Sequence, residues 1–275
     1  MKKLELGEIV KGVEQTKLSY LYDSYSTSFE AKVLNAVHEQ GKSWYVVLDQ
    51  TLFHPKSGGQ PTDVGELVIQ GVKANVKKAM LVNGVVVHYV KLEKELKIEK
   101  GMSVRGTIDW GLRYKYMRRH TAAHLLDHCV NLVTHRINKT LGSWLGEPTY
   151  VEYQGIFEGV LLKQVEEKAN AFISQGLEVK TEFLSKDALK EILDSPNAER
   201  LPEIQVYRIV QIDSFEKIPC GGTHVKNTKE IGALTLKKRK RWRVGLEFIS
   251  KFDPLLALPA KRFPDQQALA PLGAE

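Results

Sequence analysis

Uncharged stretches are short in this chain. The longest run free of Asp, Glu, Lys and Arg is 12 residues, Ala79 to Val90, whereas a spanning helix needs about 20 apolar residues. A transmembrane helix is excluded. Cysteine is scarce as well: two in 275 residues cannot build a disulfide framework. The first eight residues, Met1-Lys2-Lys3-Leu4-Glu5-Leu6-Gly7-Glu8, put acids where a signal peptide carries its apolar run. These absences lead us to expect a reduced, cytoplasmic protein with no membrane partner. With 43% hydrophobic and 27% charged residues the chain can build a core. Of its ten prolines, Pro254, Pro259, Pro264 and Pro271 crowd the end, and residues 251–275 read as a tail without periodicity.

The charge balance is 40 basic against 33 acidic residues, a net of +7. Such an excess suits a polyanionic partner without proving one. One run is denser: Lys237, Lys238, Arg239, Lys240, Arg241, Trp242 and Arg243 hold six cations in seven positions. A solvated edge strand guarded by its charges explains this run. Contact with phosphates, with an aromatic ready to stack, explains it equally.

The expected fold class is α+β. Residues 1–100 read as short strands and turns, with Phe29–Val37, Trp44–Leu48, Val72–Leu81 and Val85–Val90 as strands and Asn83-Gly84 as a hairpin signal. That pattern suits a small antiparallel β-barrel. Residues 101–250 change character. A helix is expected through Arg113–Val133, and another over Val160–Ser174, where Leu161, Leu162, Val165, Ala169, Phe172 and Ile173 recur at 3.6-residue spacing. A short helix at Lys186–Leu193 and strands at Leu177–Leu184, Gln205–Ile212, Gly232–Lys238 and Val244–Ile249 follow. No βαβ rhythm appears, so two helices packed on an antiparallel sheet are expected.

Chemistry concentrates in three places. His120 and His124 are four apart on the expected helix, which puts both on one face and suits joint ligation of a metal. Farther on, Pro219-Cys220-Gly221-Gly222-Thr223-His224-Val225 offers a thiolate and an imidazole across a glycine turn. Two such pairs favour metal binding, with one zinc ion per chain as the natural occupant. Cys129 reads as a small buried residue, and His128 as structural or supporting, because one ion cannot reach three successive helical turns. The third place is the loop Phe53 to Gly65, containing Ser57-Gly58-Gly59-Gln60-Pro61. It can bring backbone amides and one side-chain amide to a substrate, and it lacks P-loop spacing.

These residues resemble a known family. Arg119-His120-Thr121-Ala122-Ala123-His124-Leu125-Leu126, with Cys220-Gly221-Gly222-Thr223-His224-Val225, is similar to the editing domain of alanyl-tRNA synthetases and the freestanding AlaX proteins. Ser57-Gly58-Gly59-Gln60-Pro61-x-Asp63-x-Gly65 resembles the glycine-rich motif of their barrel domain, and Val165 to Ile173 the helix that follows. Nothing resembles an aminoacylation domain, and the 25 residues after 250 are too few for the C-terminal domain of the longer forms. The medium form, barrel plus editing domain, is the match.

The resemblance implies a trans-editing hydrolase that deacylates mischarged tRNA(Ala), with seryl the usual amino acid and glycyl a second. It implies a site of His120, His124, Cys220 and His224 on the metal, with Thr121 and Gln60 as catalytic or substrate-selecting groups. Thr121 is the expected partner of the serine hydroxyl. Ser57, Gly58, Gly59, Gly221, Gly222 and Thr223 would form the substrate-pocket loops. For tRNA contacts, Arg118, Arg119 and the cations Lys237, Lys238, Arg239, Lys240, Arg241 and Arg243 are expected. The partner is then RNA, not DNA, and the chain a monomer or homodimer. An editing domain for another mischarged tRNA, a non-catalytic tRNA-binding module with a structural zinc, and a zinc hydrolase acting on a small molecule are the competing readings.

Overall fold

The structure is a computed structural model that describes residues 5–154, 159–189, 204–238 and 245–251. A short helix α1 (Leu6–Val10) and a two-residue strand β1 (Lys17–Leu18) open the described chain. Strands β2 (Ser28–Gln40), β3 (Ser43–Leu48), β5 (Gly65–Ile69), β6 (Val72–Val82), β7 (Val85–Leu92) and β8 (Ser103–Ile108) close into a barrel. Its order is β2-β3-β7-β6-β5-β8, and every pairing is antiparallel. Asn83 and Gly84 turn the β6–β7 hairpin, both at positive φ, as that dipeptide favours. Val46, Leu48, Leu67, Ile69, Val76 and Val90 fill the interior. The closing strand β8 lies beyond residue 100, where the sequence suggested a boundary. The two-residue strand β4 (Gln50–Thr51) pairs with β1 outside the barrel.

From the barrel the chain passes directly into α2 (Trp110–Thr134), whose first turn is capped by Asp109 accepting from the Leu112 amide at 3.0 Å. The helix is buried over most of its middle, so it serves as the spine of the second half. A second helix, α3 (Gly159–Gln175), packs on it through Val165, Ala169 and Ile173. Instead of one sheet, the described residues of this half form two. Strands β9 (Thr140–Trp144), β10 (Tyr150–Tyr153), β14 (Ala233–Lys238) and β15 (Gly245–Lys251) form an antiparallel sheet ordered β14-β15-β10-β9. Strands β11 (Val179–Ser185), β12 (Val206–Ile212) and β13 (Ile218–Pro219) form the other. The α+β class and the barrel are as expected.

At the short helix expected over 186–193, the described part is a single 3₁₀ turn, Asp187–Leu189. The rest of it, the tail from residue 252 and residues 239–244 of the basic run lie outside the described residues.

A buried ion pair joins the halves. Arg113 on α2 and Asp63 at the end of the glycine-rich loop are both essentially inaccessible. The guanidinium also donates to Ser24 O at 3.1 Å and Leu52 O at 2.5 Å, and Asp63 accepts from the His54 amide at 2.7 Å. Each charge therefore has both a counter-charge and further hydrogen bonds, the condition under which a buried pair is tolerated.

Candidate metal and catalytic site

Helix α2 carries His120 and His124 one turn apart on its buried face, as the spacing requires. The loop after β13 carries Cys220 and His224 to the same point. Donor atoms of His120, His124, Cys220 and His224 lie within 4.8 Å of one another, a set of donors that suits zinc. Cys220 Sγ is 3.5 Å from His120 Nε2 and 3.3 Å from His224 Nε2.

Two of the far nitrogens are held from outside. His120 Nδ1 meets Gln60 Oε1 at 2.9 Å, and His224 Nδ1 meets Thr121 Oγ1 at 3.1 Å. When Nδ1 carries the proton, Nε2 keeps its lone pair for an ion, the usual way a protein fixes a ligating histidine. His124 Nδ1 is buried without a hydrogen-bond partner, an expense that makes sense where a cation is to be held nearby.

Electrostatics agree with this reading. Burial holds His120 and His224 well below the ordinary imidazole value, and holds His124 at about 4. All three are neutral at physiological pH, as ligands must be. Burial pushes the Cys220 thiol up, against the pull of the Gly222 amide and Arg208. A bound cation would reverse that and stabilise the thiolate.

Gln60 is the keystone between the halves. Fully buried, it accepts from the Thr223 amide at 3.0 Å and donates to Thr223 Oγ1 at 2.9 Å while engaging His120. The loop that carries it docks at the end of β9, just past which the Leu145 amide donates to Gly59 O at 2.9 Å. A Cβ on Gly59 would lie 2.3 Å from Ser143 Oγ, and its φ is +81°, so only glycine fits. Gly222 is equally constrained: a Cβ there would sit 2.0 Å from His120 Cε1.

Two sequence expectations are corrected. Thr121 has no capacity left for a substrate hydroxyl, because it donates to Met117 O at 3.1 Å, accepts from the Val225 amide at 3.2 Å and meets His224. Its task is orientation. Nor are Arg118 and Arg119 free for phosphates. Arg118 donates to Glu230 O and Ile231 O, each at 2.7 Å. Arg119 donates to Leu145 O, Gly146 O and Glu147. Both were expected as tRNA contacts because they sit beside the histidines, yet here their guanidiniums are taken up by backbone carbonyls.

The other expected site residues are placed as follows. Ser57 and Gly58 belong to the docked loop, Thr223 is buried under Gln60, and Gly221 is exposed. His128 stands outside the cluster, stacked on Phe215 at 3.7 Å and bonded to Glu216 at 2.7 Å. Cys129 is fully buried, its thiol raised to about 12 by burial. Lys237 is exposed at the end of β14, while Arg239, Lys240, Arg241 and Arg243 fall outside the described residues. Lys238 is placed only by its backbone pairing with Leu246.

Arg208 was missed. Buried on β12, it donates to Leu21 O at 2.9 Å, Cys220 O at 2.8 Å and Gly222 O at 2.9 Å. One guanidinium thus ties the ligand-bearing turn to the segment that leads into the barrel. Its signal was a cation inside the apolar run Val206-Tyr207-Arg208-Ile209-Val210.

Comparison with known proteins places this arrangement. Residues 6–112 match the family described as tRNA synthetases class II (A), and residues 207–249 match the threonyl and alanyl tRNA synthetase second additional domain. The chain is thus of the class built from these synthetase-associated modules. An alanyl-tRNA editing protein AlaX-M of Methanosarcina barkeri is 34% identical over 232 residues, covering 81% of this chain and 93% of the relative. Its counterpart in Methanosarcina mazei is 33% identical, covering 81% and 90%. The chain belongs to the AlaX-M family of alanyl-tRNA editing proteins. The alanine–tRNA ligase of Pyrococcus abyssi is 31% identical over 88% of this chain, which spans only 26% of that ligase.

Proposed function

We propose that this protein hydrolyses the aminoacyl ester of mischarged tRNA(Ala), chiefly Ser-tRNA(Ala) with Gly-tRNA(Ala) second. One zinc ion would be held by His120, His124, Cys220 and His224. The observation that carries the reading is the convergence of these four donors from segments about a hundred residues apart, in a chain of the AlaX-M family.

The need for such an activity follows from size. A site for alanine cannot strongly reject glycine or serine, since one small group is worth only ~1–3 kcal/mol. A second site that hydrogen-bonds the serine hydroxyl inverts the test, because alanine leaves that site's polar group unpaired. When bound, zinc would supply Lewis acidity toward the ester carbonyl. The chain's own residues set the geometry. Gln60 and Thr121 fix the tautomers of His120 and His224, and Arg208 holds the carbonyls of Cys220 and Gly222. The half-buried Cys220 and exposed Gly221 mark the open side of the cluster. The tRNA would be bound largely through phosphates, with affinity that falls steeply with salt. Among the described residues no helix is long and apolar enough to cross a membrane.

The proximity of all four donors also suits a closed, structural ion, and then the protein would bind tRNA without turnover. Release of labelled serine from Ser-tRNA(Ala), with Ala-tRNA(Ala) in parallel and Cys220→Ala as control, separates the readings. Selective, Cys220-dependent release supports hydrolysis. No release from a folded, zinc-loaded protein that still binds the tRNA refutes it.

A further inference from the structure

Two large aromatic rings stand in solvent beside the site. Tyr22 is 69% exposed and Phe183 is 41% exposed. Their rings stack at 5.0 Å with planes 27° apart. Tyr22 comes from the segment before the barrel and Phe183 from β11, so the pair spans the two halves. A ring so exposed while stacked on one neighbour has its other face open. Exposed aromatic area of this kind costs solvation free energy unless something covers it.

The pair does not stand alone. Tyr22 lies on the wall of a cleft of about 750 Å³, within the size range of small-ligand sites. The cleft runs between residues 22–25 and β11 and reaches Arg208 and His224, so one end touches the metal cluster. Its walls carry four cations, Lys180, Arg208, Lys217 and Lys226, against three acids, Asp23, Glu178 and Glu182. Each acid is engaged. Asp23 accepts from the Tyr25 amide and Ser26, Glu178 pairs with Lys180, and Glu182 pairs with Lys217. The remaining balance is one positive charge, with Lys226 poised 4.7 Å over the Tyr25 ring.

An open aromatic face and a mildly cationic groove suit single-stranded nucleic acid held by stacking. We propose that this cleft seats the unpaired 3′ end of the tRNA, with one base stacked on Tyr22 and the backbone led toward His224. The assignment rests on the editing reading for which tRNA is bound, but stacking itself can be measured without turnover. Because every base has a π-face, the contact tolerates any sequence and leaves identity to be read elsewhere.

The test uses an RNA minihelix with a single-stranded CCA end carrying 2-aminopurine at each of the three unpaired positions in turn. At one position the wild-type protein should quench the fluorophore. Tyr22→Ala should abolish that quenching and weaken binding roughly 5- to 150-fold, while Tyr22→Trp should restore both. Tyr22 is exposed, so the alanine variant should keep its fold and metal content, which melting and zinc titration check. In the deacylation assay the same variant should raise KM and leave kcat close to wild type. No Tyr22-dependent quenching at any position overturns the proposal, even if deacylation is efficient. Quenching without deacylation keeps it and overturns the hydrolytic reading.

Discussion

Replacing Gln60 by leucine tests whether the barrel helps to make the metal site. Leucine keeps approximate bulk but offers no acceptor to His120 Nδ1 or to the Thr223 amide, which Gln60 Oε1 serves at 2.9 and 3.0 Å. Two buried donors are then orphaned, at roughly 1–3 kcal/mol each, so the local cost is about 2–6 kcal/mol. Part of that falls on the metal, because the tautomer and tilt of His120 are no longer held. Loss of an outer partner of a ligating histidine lowers metal affinity by about 10- to 100-fold. Gln60→Glu is the informative partner. A carboxylate accepts from both donors, and the Thr223 hydroxyl can rotate to donate to it. The charge this buries would sit beside the proposed cation. Competition against a chromophoric chelator, with melting of the metal-free and metal-loaded forms, should show Gln60→Leu weakened and Gln60→Glu largely recovered. Affinity within twofold of wild type for Gln60→Leu would refute the coupling of barrel to site.

Three further outcomes are expected. Gly222→Ala should displace His120, given a Cβ 2.0 Å from its Cε1, and equilibrium dialysis should find zinc stoichiometry well below one in a protein that still folds. Asp63→Leu should strand the buried Arg113 charge at about 3–5 kcal/mol, read as a fall in Tm and in denaturant midpoint. Asp127 bears on pH. Burial raises its carboxyl from 3.8 to about 6, so the folded state binds that proton more tightly than the unfolded. Its stabilising share is full below about pH 4 and is lost as pH rises through about 6. Asp127→Asn should remove this slope and raise Tm near neutrality, and a Tm–pH profile parallel to wild type would contradict it.

How much of this was legible in the sequence depended on the range of the interaction. The β6–β7 hairpin could be read because Asn83-Gly84 sits between two β-rich runs, a wholly local signal. The convergence of the four His/Cys donors could be read because ligand chemistry limits which residues qualify, however far apart they lie. Strands β9 and β10 could not. They are short, polar in part, and stabilised through the β10–β15 pairing of Tyr150 with Glu247. The arginines failed for a related reason. Arg118 and Arg208 are charged, and charge reads as surface, but each is buried against backbone carbonyls that come from distant segments. Thr121 was placed at the right spot and given the wrong task, since its three partners are set by the tertiary fold.

The crossing of Gln60 from the glycine-rich loop into the cluster also bears on how the chain matures. The groups of the His/Cys cluster and its Gln60 partner come from residues near 60, 120 and 220, so local folding alone cannot bring them together. The barrel must close, its loop must dock on β9, and the Cys220 turn must reach Arg208 before a cation meets its complete set of partners. If the cluster takes zinc as proposed, tight metal capture would be a late event that reports docking of the two halves, and a chain halted midway should hold zinc weakly. Zinc retention under mild chelation is thus a simple assay for complete assembly.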